Sequence, residues 1–144
     1  MKTSLYILIV LVFLIGCNSS KTVASTDNES VKIAENDTIS IVNEALEYEI
    51  IIIEIGFGNW LASTAKPEGY YSQEYLENRN IFMVSEWNNR VLQPNRYNPN
   101  LYEMQIDYRS GVDYGYDVNY KLYNYFIYFQ LKYKQKLGVG IPRI

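Results

Sequence analysis

The chain has no histidine. That removes the commonest general base and the commonest transition-metal ligand. Ser-His-Asp and Cys-His catalysis are excluded, and a structural zinc site lacks its usual ligand set. There is one cysteine, Cys17, so no disulfide closes within the chain and packing alone must hold the fold. Thirteen Lys and Arg stand against 16 Asp and Glu, a net charge of −3, which leaves no footprint for nucleic acid. The acid-free stretch with Lys132, Lys134, Lys136 and Arg143 reads as a solvated helix end. Asp113, Asp117 and Glu103 lack the glycine and terminal glutamate of a calcium loop, and helix capping accounts for both aspartates. The sequence implies no cofactor and no metal.

What is present begins with an address. Met1 and Lys2 give a short positive start, and Leu5 to Ile15 form an unbroken apolar run. Eleven residues are too few to span a bilayer core, which needs about 20. Leu14-Ile15-Gly16-Cys17 then leads into Asn18-Ser19-Ser20. This string resembles a lipobox. The resemblance implies a signal peptide over 1–16, acylation of Cys17 as the mature N-terminus, and a chain held in the cell envelope outside the cytoplasm. Its first partner is then the membrane itself, and acylation consumes the only thiol. Residues 17–36 are polar and lack apolar periodicity, as expected of a lipidated N-terminus and flexible tether. Residues 37–144 suffice for one globular domain.

Within that domain Thr38 to Val42 alternates and is β-branched, and Leu46 to Ile55 holds an isoleucine run, so a hairpin is expected. Apolar at every position, Ile50 to Ile53 should be covered on both faces as a central strand. Gly56-Phe57-Gly58 breaks the strand and a short helix follows up to Lys66-Pro67. Ser72 is an N-cap for a helix to Leu92, with Leu76, Met83, Val84, Trp87 and Val91 on one side. Tyr102, Met104, Ile106 and Tyr108 alternate with Glu103, Gln105, Asp107 and Arg109, as in a half-buried strand. Odd positions from Tyr123 to Tyr133 would suit a strand, but helical spacing works too. Length and the available caps, Asp113 or Asp117, select a helix stopped by Gly138. The expected fold is α+β, a small antiparallel sheet in the order β-β-α-α-β-α packed with helices.

Several local strings belong together: Glu47-Tyr48-Glu49-Ile50-Ile51-Ile52-Ile53, Gly56-Phe57, Trp60-Leu61, Gly69-Tyr70-Tyr71-Ser72, Glu86-Trp87-Asn88, Ile106-Asp107-Tyr108, and Leu122-Tyr123-Asn124-Tyr125-Phe126. The series resembles an uncharacterised family of small lipoproteins from Gram-negative bacteria, a domain of unknown function. The resemblance implies location and single-domain architecture and brings no activity. Asp37-Thr38-Ile39 is similar to an O-glycosylation acceptor pattern on exported proteins of some Gram-negative bacteria, which would make Thr38 a modification site; Thr38 opening a strand is the simpler reading.

Fourteen of the 15 tyrosines fall between Tyr48 and Tyr133. Most sit in apolar periods, as core rings with wet hydroxyls would. The aromatics placed for ligand contact are Phe57, Trp60 and Trp87. The carboxylates available for chemistry are Glu86, Glu103 and Asp107, with Glu86 and Asp107 as the pair that could flank a glycosidic bond. A Glu86–Arg90 surface pair explains the first of these more simply. Two function classes follow. The preferred one is a non-catalytic envelope lipoprotein that binds an envelope protein or a glycan through its aromatic-rich surface. The alternative is a carboxylate-dependent glycan hydrolase.

Overall fold

The computed structural model describes residues 37–43 and 48–138. The signal segment, Cys17 and the tether lie outside the described residues. Strands β1 (Thr38–Asn43) and β2 (Tyr48–Ile53) pair antiparallel, with Thr38 opposite Ile53 and Ile39 opposite Ile52. Helices α1 (Phe57–Ser63), α2 (Gln73–Val91) and α3 (Tyr116–Lys132) follow. The α+β class and the small antiparallel sheet are as expected. Among the described residues no helix is long and apolar enough to cross a membrane.

Helix α3 is the hub. Eleven of its 17 residues are buried, and α1, α2 and β1 all pack against it. A helix apolar nearly all round has to be central. The length of its apolar segment therefore decided correctly between strand and helix. Leu122 and Phe126 are fully sealed, and Phe129 meets Trp87 at 4.9 Å between ring centroids. Neither expected aspartate caps this helix. Gly115 occupies the N-cap without a side-chain bond, while Asp113 accepts the Gly115 amide at 2.9 Å and Asp117 pairs with Lys121. The helix also stops before Gly138, and Lys134 takes the left-handed turn at φ 52°.

The N-cap of α2 is Ser72, whose Oγ accepts the Tyr75 amide at 3.2 Å. Leu76, Met83, Val84 and Trp87 face the core as the period required. At the start of α1, Asp37 does what no residue within the helix does. Its carboxylate accepts the amides of Gly56, at 3.2 Å, and of Gly58, tying the first strand to the helix N-terminus. Gly56 sits at φ 88°, and a Cβ there would meet the Tyr128 hydroxyl at 3.0 Å. That hydroxyl in turn donates to the Ile55 carbonyl.

Two expectations are corrected. The segment 101–109 is not a strand. Tyr102, Ile106 and Tyr108 are buried as the alternation suggested, but Met104, expected on the same face, is exposed, and side chains take the place of a neighbouring strand. The Asn88 amide donates to the Ile106 carbonyl and accepts the Ile106 amide, both at 2.8 Å, and Trp87 Nε1 donates to the Met104 carbonyl. Backbone groups thus find partners without a ladder. The isoleucine run is not central either: Ile51 and Ile53 are 53% and 52% exposed, because among the described residues the sheet has two strands.

The tyrosines are mostly structural. Burial pushes Tyr108 up to about 12 and raises Tyr102, Tyr120, Tyr123 and Tyr125 as well. A phenol whose folded pKa lies above its unfolded value of about 10 favours folding in its neutral form. That contribution is complete below pH 10 and is lost as pH climbs toward the folded value. Alkaline titration should therefore show a cooperative loss of far-ultraviolet circular dichroism between about pH 10 and 12. A late step in phenolate absorbance should accompany it.

Candidate functional site

A groove of about 180 Å³ lies between β2 and the segment 100–106. Its floor is Trp87 from α2 with Tyr125, Phe129 and Tyr133 from α3 and its end. Ile51 to Glu54 form one wall, and Leu101, Glu103, Met104 and Ile106 form the other. The groove separates β2 from the segment whose alternation suggested a third strand.

The β2 wall offers free peptide groups. The Glu54 amide donates to the Asp37 carbonyl at 2.9 Å, and every pair in the ladder keeps that register. In an antiparallel ladder the residues alternate, so Ile52 turns its peptide groups toward β1 while Ile51 and Ile53 turn theirs to the open edge. Among the described residues no backbone group bonds them there. On the floor, the Tyr125 hydroxyl likewise has no partner among the described residues, although the side chain is 4% exposed. Burial first, and then the nearby carboxylates Glu54 and Glu103, hold this phenol well above its ordinary pKa, so it remains a neutral donor.

Glu54 is already engaged. Lys132 Nζ and the Tyr133 hydroxyl both donate to its Oε1. Burial opposes the charge on Lys132, but the bond to Glu54 outweighs it and keeps the ammonium protonated beyond its usual range. Glu103 lies exposed on the opposite wall with no side-chain bond among the described residues.

Of the residues singled out from sequence, Trp87 and Glu103 line this groove. Phe57 is fully buried and packed between Trp60, Tyr125 and Tyr128, so it presents no surface; Trp60 is half-buried beside it. Glu86 and Asp107 are not brought together. Glu86 pairs with Arg90 at 2.8 Å, and Asp107 accepts from Nε and Nη2 of Arg109, at 2.8 and 3.0 Å. Asp107 borders a separate shallow pocket with Asn88, Gln105 and Ile106, and Glu86 lines neither. Arg90 is 9% exposed rather than a surface residue. It bonds Glu86, the Tyr102 hydroxyl and the Lys136 carbonyl, and stacks on Tyr97 at 4.9 Å. Burial works against its charge, and the bonds to Glu86 and Tyr102 more than offset this. Thr38 stands half-exposed at the start of β1, while its neighbour Asp37 is 5% exposed and committed to α1.

The groove residues that sequence reading missed include Ile51, Ile53, Glu54, Leu101, Tyr125 and Tyr133. The open strand edge left no signal, because it depends on what fails to pair with β2. Among the described residues no cluster of three Asp, Glu or Cys side chains could hold a metal ion.

Residues 5–141 match the family described as "Family of unknown function (DUF6146)", and the chain belongs to that family. No curated protein and no solved structure matches it.

Proposed function

We propose that this member of the family is a lipid-anchored, non-catalytic module of the cell envelope whose groove binds an extended, largely apolar segment of a partner protein. The anchor is Cys17, supported by the apolar run and the Leu14-Ile15-Gly16-Cys17 string. The observation that carries the binding role is the open edge of β2 beside an apolar, aromatic-floored groove. An extended segment entering there would accept from and donate to the peptide groups of Ile51 and Ile53, adding a strand to the sheet. The Tyr125 hydroxyl gives it a fixed polar contact, and Glu103 favours a basic residue on the incoming chain. The aromatic contribution to binding is Trp87 and the tyrosines of the groove floor, rather than an exposed aromatic face. The hydrolase alternative draws no support from Glu86 and Asp107, which are separately ion-paired and share no cleft.

The test uses the full lipoprotein in its native envelope, with a photo-crosslinking residue at Met104. Crosslinks should map to one extended segment of one partner. Ile51→Pro removes an outward-facing donor together with the Ile51 side chain of the groove wall and leaves the β1 ladder whole, so it should keep the circular dichroism and lose the crosslink. Undiminished crosslinking of a folded Ile51→Pro chain, or crosslinks to glycan alone, would sink the proposal.

A further inference from the structure

We infer that the outer face of the hairpin rests on the bilayer to which Cys17 is anchored; the inference depends on the anchor proposed above. Cross-strand partners share a face, so Thr38 and Ser40 of β1 lie on the same side as Ile53 and Ile51 of β2. A hairpin packed on one side usually carries polar residues on the other. Here Ile51, Ile53 and Ile55 are 53%, 52% and 55% exposed, and Met104 at the groove rim is 57% exposed. Glu49 lies on this face at its far end, where its carboxylate accepts from Ser40 Oγ at 2.6 Å, and Glu54, on the other side of the strand, is held by Lys132 and Tyr133.

Chain position says what covers this face. Ile53 sits opposite Thr38, the residue immediately after the stretch that leads from Cys17. That stretch, Asn18 to Asp37, is 20 residues and spans at most about 70 Å when fully extended. The hairpin end is therefore held within that reach of the leaflet, and a face too weakly apolar to bind vesicles from free solution meets a high local concentration of lipid. Among the described residues no free cation lies on this face, and the chain is net acidic, so the contact is carried by the isoleucines and is insensitive to salt. The strand edge stays available to a partner, because its peptide groups point along the sheet and the isoleucine side chains point away from it.

The acylated Cys17 leaves no thiol, so a cysteine introduced at Ile53 is uniquely labelled. Spin labels at Ile53→Cys and, as the control, at Phe82→Cys on exposed α2 surface are compared. Both are placed in the full lipoprotein, in vesicles of phosphatidylethanolamine and phosphatidylglycerol. The expected result is a label at 53 reached by oxygen in preference to a water-soluble nickel chelate, at low and at molar salt, with the reverse preference at 82. Adding Ile51→Asp and Ile55→Asp should shift the label at 53 toward the behaviour of 82. A label at 53 in water, on vesicles that still carry the protein in flotation, overturns the docking and leaves the anchor standing. Protein that does not float overturns the anchor and the docking with it. Spin–spin broadening at 53 that fades on dilution with unlabelled protein would assign the face to a second copy, and a hexose on Thr38 by intact mass would assign it to a glycan. Either result overturns docking.

Discussion

Trp87→Ala is expected to remove about 4 kcal/mol of stability, the cost of deleting a large buried aromatic side chain. Trp87 is 5% exposed and contacts the rings of Tyr102, Tyr125, Phe126 and Phe129. Its Nε1 also supplies the bond that holds the Met104 carbonyl. Truncation therefore opens a cavity between α2 and α3 and releases segment 100–106 from its support. For a domain of this size the midpoint of thermal unfolding should fall by roughly 15 °C. Trp87→Phe separates the two contributions, because it restores most of the ring contacts and none of the hydrogen bond. It should recover more than half of the loss. Urea denaturation of both variants checks this, and a loss under about 1 kcal/mol for the alanine variant would contradict the packing described.

Asn119→Ala should cost about 3 kcal/mol through a different mechanism, the stranding of buried polar groups. Asn119 is fully buried in α3. Its Oδ1 accepts from the Tyr108 hydroxyl at 2.6 Å and from Asn80 Nδ2 at 3.2 Å, and its own Nδ2 donates to the Gly115 carbonyl at 2.8 Å. Without the amide, a buried phenol loses its acceptor and the first turn of α3 loses a brace. Tyr108→Phe should cost about 1 kcal/mol alone and much less in the Asn119→Ala background, since the two share one bond. A double-mutant cycle by denaturation gives the coupling directly. Strict additivity would show that the bond contributes nothing.

These two residues also show where sequence reasoning succeeded and where it stopped. Trp87 was legible as a core residue because it recurs at helical spacing with Leu76, Met83 and Val84. Helix α3 was legible because its apolar segment is too long for an ordinary strand. Asn119 carried no such signal: a fully buried amide looks, in sequence, like one on a solvated helix face. The false third strand has the same origin. Its alternation is genuine, but Asn88 and Trp87, distant in the chain, claim the peptide groups that a strand would have used. The groove was invisible for a related reason. Its walls come from 51–54, 87, 100–106 and 125–133, and only the fold brings them together.

The position of α3 in the chain has a consequence for how the protein is made. Helices α1 and α2 and strand β1 pack onto a helix that a ribosome delivers after all of them. Until residues 116–132 have emerged, the earlier elements have no core to close upon, and folding waits for nearly the whole chain. A nascent chain of this kind stays open for as long as it is being threaded. A stop codon anywhere before Tyr116 yields no smaller folded unit, only a chain for proteases.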